Sequence, residues 1–258
     1  GADADSTAHA ILFLSAEGIR LSEGSYRRLE VFQSEDGGFS TYQRGDSYGS
    51  WCVSHPDVTP MALLALLTRH VEGSVAINRG IDYIIGQRSE SGLWNSFWWE
   101  TPLYGTNACL ALLKATGGAE SGGKVRESML ENLLLLAPGN AFETALLLSV
   151  LMRLPDGVHA QPILSKALAL ARELIVTQMT DGSWNTAPIL RVTRRNCYEP
   201  WNEVDPGPLY ADPNRLFTSA SVVDALARLW HGWEAEKLCD PIRPDRVDGQ
   251  GEMRETQR

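Results

Sequence analysis

Gln33-Ser34-Glu35-Asp36-Gly37-Gly38-Phe39 is echoed twice further along the chain, by Gln87-Arg88-Ser89-Glu90-Ser91-Gly92-Leu93-Trp94 and by Gln178-Met179-Thr180-Asp181-Gly182-Ser183-Trp184. Each copy is a glutamine, a short polar stretch, a glycine, any residue and an aromatic. Each follows a helical run that carries arginine: Arg27 and Arg28, then Arg79, then Arg172. The glutamine can cap the end of one helix while the aromatic covers the next turn. A unit of this detail, recurring three times, marks stacked helical repeats that bury their apolar faces against one another.

Around these units the apolar pattern predicts helices near residues 5–16, 24–34, 57–70, 75–88, 102–116, 123–137, 140–153, 160–179 and 215–236. The period is clearest in Val58, Met61, Leu64, Leu67 and in Phe142, Ala145, Leu146, Val150. Thr116-Gly117-Gly118 and Leu154-Pro155-Asp156-Gly157 punctuate between helices. Strand signals are nearly absent. The expected fold is therefore all-α, an α/α toroid of inner and outer helices over residues 1–239. Residues 240–258 are polar, with Pro and Gly, and read as a disordered tail. The long loops 36–56, 90–101 and 181–214 are the places to look for function.

Composition narrows the classes. Of 258 residues, 43% are hydrophobic, enough for a large core. A net charge of -9 with no basic stripe argues against nucleic acid as a partner. No apolar run approaches the ~18 residues of a spanning helix, and acidic residues precede the short run Ile11 to Leu14, unlike a signal peptide. Cys52, Cys109, Cys197 and Cys239 are widely spaced without a CxxC pair, which suits a reduced, cytoplasmic protein.

Asp3-Ala4-Asp5-Ser6-Thr7-Ala8 opens the first helix. One reading is an N-cap aspartate with a first-turn aspartate. The other is an acid site. A helix N-terminus stabilises a conjugate base, and two close carboxyls that are buried cannot both ionise cheaply, so one keeps its proton. His9 lies one turn after Asp5 on the same face, as a partner of the acid or as a satisfied core histidine.

These segments resemble the class II terpene cyclases, the family of squalene-hopene cyclases and copalyl diphosphate synthases. The three repeats look like the family's QW motifs, and Asp3 to Ala8 looks like its Asp-x-Asp-Asp-Thr-Ala motif. Phe97-Trp98-Trp99-Glu100-Thr101-Pro102-Leu103-Tyr104-Gly105-Thr106 looks like its aromatic stretch ending in Leu-Tyr-Gly-Thr, and Pro188-Ile189-Leu190-Arg191-Val192 with Leu216 to Ala220 looks like its bacterial diterpene members. The likeness runs from Asp3 to about Leu229.

By this resemblance Asp5 is the proton donor and Asp3 tunes it. Ser6 replaces the motif's third aspartate. Met61 stands where hopene cyclases carry a histidine, and His9 is the available substitute. Tyr104 belongs with the acid-site residues. Phe97, Trp98, Trp99 and Phe217 would shield carbocations with their ring faces, or else serve as core; Trp94 and Trp184 read as core or capping rings. Arg191, Arg194 and Arg195 would hold a substrate diphosphate, or form a solvated cluster. The implied reaction cyclises geranylgeranyl diphosphate to a bicyclic copalyl-type diphosphate with the diphosphate retained. Farnesyl diphosphate, squalene or a prenylated aromatic is the alternative substrate, and a non-catalytic isoprenoid-binding toroid the alternative protein. No resident metal or other cofactor is implied, though Mg2+ could accompany a substrate diphosphate. No Asp-Asp-x-x-Asp occurs, and no cysteine has the neighbours of a prenyltransferase zinc site. The acid motif begins at the third residue and the helices are fewer than the family's barrel holds. A preceding N-terminal part of the same protein is therefore expected, needed to close the pocket.

Overall fold

The computed structural model describes residues 2–69, 74–117, 123–154 and 161–239, without the side chains of 123–126 and 233–239. The tail expected over 240–258 lies outside them. The described residues form nine α-helices: α1 (Ala4–Ala16), α2 (Glu23–Glu30), α3 (Thr59–Leu67), α4 (Val75–Gly86), α5 (Pro102–Ala115), α6 (Gly123–Leu135), α7 (Ala141–Arg153), α8 (Gln161–Val176) and α9 (Leu216–Cys239). Each expected helix is present. The sequence reading missed one antiparallel ribbon, β1 (Pro188–Arg191) with β2 (Leu209–Ala211). Its strands are too short, at four and three residues, to show an alternating pattern.

Contacts run α1 to α3 to α5 to α7 to α9, and α2, α4 and α8 pack on α1, α3 and α7 from outside. This is the two-layered α/α toroid architecture. Burial agrees: α3, α5 and α7 are covered along most of their length, with Leu63, Leu103, Leu112, Leu147 and Leu151 fully enclosed. In α4 and α8 a single face is buried, through Ile77, Gly80 and Ile84 in one and Ile163, Ala167, Leu170 and Leu174 in the other.

The repeats explain how the outer helices end. Gln33 Nε2 donates to the carbonyls of Gly37 and Ala76 at 2.9 and 2.7 Å, and Gln178 Nε2 to that of Gly182 at 3.0 Å. In the second copy the residue six before the aromatic is Arg88, and its Nε donates to Gly92 at 3.0 Å. The repeat is thus set by a six-residue interval and a long side chain with an N–H donor, so Arg88 takes the place the sequence reading gave to Gln87. Arg79 likewise serves the first turn, not its own: it donates to the Ser34 and Glu35 carbonyls. Trp94 and Trp184 are buried, and each Nε1 donates to a helix carbonyl ten residues back, of Ile84 at 2.7 Å and Leu174 at 2.6 Å.

Gly37, Gly92 and Gly182 all adopt left-handed backbone, with φ of 92°, 81° and 82°. A Cβ on Gly37 would stand 2.2 Å from the Arg79 carbonyl oxygen. Gly37→Ala is expected to lower unfolding free energy by more than the roughly 1–2 kcal/mol of the left-handed conformation alone. Gly18→Ala, with φ 71° and open space at its Cβ, is the control that loses only that conformational part. Urea unfolding of the two variants checks the difference.

Candidate active site

The N-terminal ends of the inner helices meet at one end of the molecule, beneath the three long loops. The Ala4 N–H at the start of α1 donates to the Thr41 carbonyl. Asp57, just before α3, accepts from the Phe97 and Trp98 N–H groups, both at 2.9 Å. Trp99 packs against Tyr104 of α5, Phe142 of α7 and Phe217 of α9, with ring centroids 4.2, 5.4 and 5.2 Å away. Capping explains why these helices start here: Asp3, Thr101 and Asn140 accept from the N–H groups of Ser6, Leu103 and Glu143.

Asp3 is the N-cap of α1, with Oδ1 2.7 Å from the Ser6 N–H, and the Ser6 hydroxyl turns to Asp3 Oδ2 at 3.1 Å. Asp3 therefore caps the helix, and Asp5 stands in its first turn without a capping role. A third of the Asp5 side chain is exposed, yet Oδ1 is covered and has no hydrogen-bond partner. Burial raises its pKa. His9 opposes this and the Asp3 charge adds to it. His9 Nε2 lies 3.7 Å from Asp5 Oδ1, in ion-pair range and beyond a hydrogen bond, with nearly half its side chain exposed. Met61 is a partly buried packing residue.

Asp57 stands at the start of the helix expected over 57–70, but the sequence reading gave it no role. It is fully buried with Oδ1 unpartnered. Burial, with help from the Asp5 charge, pushes its pKa up to about 7 against the pull of the Trp98 and Phe97 N–H groups. Tyr104 feels both carboxylates: burial first, then Asp5 and Asp57, raise its pKa well above the phenol range. Asp5, Asp57 and Tyr104 thus form one electrostatic neighbourhood in which protons are held tightly. His55 goes the other way. Its ring stacks on Phe97 at 3.8 Å, its Nε2 is buried without a partner, and burial lowers its pKa to about 3 despite a hydrogen bond to the Trp51 backbone.

The aromatic residues divide into two groups. Trp99, Tyr104, Phe142 and Phe217 make one cluster. Trp98 is half-buried, its Nε1 donating to Thr41 Oγ1 at 2.7 Å, its ring edge-on to Trp51 at 5.2 Å and to Phe97 at 5.1 Å. Phe142, Trp51 and His55 were not singled out in the sequence, because each faces the site through residues more than forty positions away.

The three arginines expected to bind an anion each have a partner of their own. Arg191 is buried, with Nη2 2.5 Å from Glu100 and Nη1 3.3 Å from the Trp99 carbonyl. Arg194 pairs with Asp205 at 2.5 Å. Arg195 lies over the rings of Tyr48 and Trp51, 4.9 and 5.2 Å from their centroids. Their segment acts as a strap. Arg191 N–H donates to the Trp98 carbonyl, Glu100 N–H to Ile189, Thr193 Oγ1 to Phe97, and Trp51 Nε1 to Thr193.

Among the described residues no group of three or more His, Cys, Asp or Glu side chains could hold a metal ion, and no helix is long and apolar enough to cross a membrane. A carboxyl whose pKa burial raises, with one covered oxygen that accepts no hydrogen bond, has the chemistry to give a proton to a weak base in a poorly hydrated space.

No protein-family model and no curated protein matches the sequence. Solved structures do. A variant of the type II terpene cyclase MstE from Scytonema, in complex with geranylgeranyl dihydroxybenzoate as substrate, aligns with a TM-score of 0.76 at 23% identity over 89% of this chain and 74% of that one. The apo MstE structure aligns with a TM-score of 0.75 at 22% identity, over 89% of this chain and 75% of that one. The ent-copalyl diphosphate synthase from Streptomyces platensis gives 0.63 at 18% identity, over 88% of this chain and 41% of that one. The described helices, in two layers with their inner N-termini gathered under the aromatic loops, thus share the fold of the class II terpene cyclases.

Proposed function

We propose that this chain is a class II terpene cyclase, in which Asp5 protonates the terminal alkene of a geranylgeranyl chain. The carrying observation is Asp5 Oδ1, covered and without a hydrogen-bond partner, in this fold and near enough to Tyr104 for its charge to be felt there. The O–H bond of the carboxyl breaks as a C–H bond forms at the alkene. Successive alkenes attack the resulting cations to close rings, and the last cation loses a proton, so product and substrate are isomers. The Asp3 charge raises the Asp5 pKa and so helps the acid hold its proton. Trp98, Trp99, Tyr104 and Phe217 offer ring faces to the cations, at roughly 0.5–2 kcal/mol each.

Geranylgeranyl diphosphate, giving a copalyl-type diphosphate with the head group retained, is the first substrate proposed. A geranylgeranyl aromatic acid is the second, because MstE, the better structural match, is described with geranylgeranyl dihydroxybenzoate bound. Incubation of the full-length protein with each, followed by mass analysis, is expected to give a cyclic isomer of one of them; unchanged recovery of both would end the proposal. Trp98→Ala is expected to divert part of the product to alcohols, one water heavier, because a cation without its shielding ring is captured by solvent. A product spectrum identical to the wild type would remove Trp98 from the cavity wall.

A further inference from the structure

A second polar cluster lies further along the face that begins at Trp99. On α7, Phe142, Leu146, Ser149 and Arg153 follow at i, i+4, i+7 and i+11. On α9, Phe217, Ser221, Asp224 and Arg228 repeat that spacing. Such intervals put each set on one side of its helix. Both stripes begin at a ring packed on the Trp99 indole and end at an arginine, about 16 Å along the helix by a rise of 1.5 Å per residue. Asn107 of α5, one turn beyond Tyr104, accepts from Arg153 Nε at 2.7 Å. Three adjacent inner helices therefore contribute to one spot.

The charges there do not balance. Asp224 is held by Arg228 in a two-pronged pair, at 2.7 and 2.8 Å. Among the described residues Arg153 has a neutral carboxamide as its partner and no carboxylate in ion-pair reach. Burial, and then the neighbouring Arg228, lower the Arg153 pKa to about 10, with Asp224 compensating in part. Two guanidiniums facing one committed carboxylate leave a net positive charge, partly withdrawn from water, that an anion would neutralise with charge-assisted hydrogen bonds.

We infer that Arg153 and Arg228, oriented by Asn107 and Asp224, bind the anionic head group of the prenyl substrate, a diphosphate or a carboxylate. The inference rests on the cyclase reading for the identity of the tail, and it separates the two ends of the ligand: hydrocarbon toward the rings and Asp5, anion toward the arginines. It also supplies the anion site that Arg191, Arg194 and Arg195, each otherwise engaged, do not form together.

Binding is measured apart from turnover, by tryptophan fluorescence titration of the chain with geranylgeranyl diphosphate, geranylgeranyl dihydroxybenzoate and uncharged geranylgeraniol. Arg153→Gln and Arg228→Gln are each expected to weaken the charged ligands by about tenfold or more and to leave geranylgeraniol nearly unchanged. Whichever charged ligand loses more identifies the head group. Asp224→Asn is expected to tighten the charged ligands severalfold, a direction that damage to the fold would not produce. Arg228 is more than a third exposed, so its variant keeps the test usable should Arg153→Gln unfold. Equal losses for charged and uncharged ligands, or none for either, would overturn the site. Selective loss without any turnover would sustain the site and refute the cyclase.

Discussion

Asp5→Asn is expected to reduce cyclisation by about two to four orders of magnitude, the usual worth of a positioned general acid, with no change in circular dichroism. Asparagine preserves the shape and removes the transferable proton. Asp3→Asn is expected to be milder, because an asparagine side chain still accepts the Ser6 N–H that Asp3 accepts at 2.7 Å. The pH profiles carry the sharper information. Asp5 acts protonated, so rate falls as pH rises through its elevated pKa. Asp3 is one of the charges that raises that pKa, so Asp3→Asn moves the fall to lower pH. His9 lowers it, so His9→Ala moves the fall to higher pH. Asp5→Asn at normal rate, or shifts in the same direction for Asp3 and His9, would remove Asp5 as the donor.

The second large effect is on stability, and wild-type protein hides it. Asp57 has a folded pKa of about 7 against an ordinary 3.8, so it holds its proton more tightly when folded. Its contribution is present below pH 3.8 and lost as pH rises to 7, about 4 kcal/mol in all. His55 has a folded pKa of about 3 against 6.5, so unfolding lets it take up a proton. Its contribution is present above pH 6.5 and lost as pH falls to 3, about 5 kcal/mol. Between about pH 4 and pH 6.5 the two slopes are opposite and nearly equal. Asp57→Asn, which still accepts the Phe97 and Trp98 N–H groups, is expected to gain a slope of about +1.4 kcal/mol per pH unit relative to wild type. His55→Phe, which keeps a ring on Phe97, is expected to gain about -1.4 kcal/mol per pH unit. Urea unfolding at pH 4, 5 and 6 measures both. Profiles parallel to wild type would mean that neither group is buried as the geometry has it.

What the sequence revealed was what neighbouring residues decide. The repeat turns close over six residues, so Gln33, Gly37 and Phe39 or Gln178, Gly182 and Trp184 carry their own geometry. Helix starts were equally plain where Asp3, Thr101 or Asn140 caps them. Substitution within a unit was harder: Arg88 does a glutamine's work because its Nε reaches the same carbonyl, a likeness of donors and not of residue names. The site was legible only in part. Asp5 showed itself by its place in a helix start, but Asp57 looks like any helix-start carboxylate until Phe97 and Trp98 arrive 40 and 41 residues later. Arg191 looked like a free cation because nothing in its own stretch shows the approach of Glu100, 91 residues away.

That strap has a bearing on the order of events during synthesis. Ser50 Oγ and Trp51 Nε1 donate to the carbonyls of Arg194 and Thr193, across 144 and 142 residues, and Thr193 then anchors Phe97. The repeats can assemble as they leave the ribosome, each on its predecessor, with mostly short-range closures. The aromatic loops cannot be fastened until Thr193 and Arg194, more than 140 residues beyond Ser50 and Trp51, have emerged. The helix bearing Asp5 is therefore made well before the loops around it are fastened. Through that interval its apolar surroundings stand open, the stage at which a nascent chain is most exposed to wrong partners.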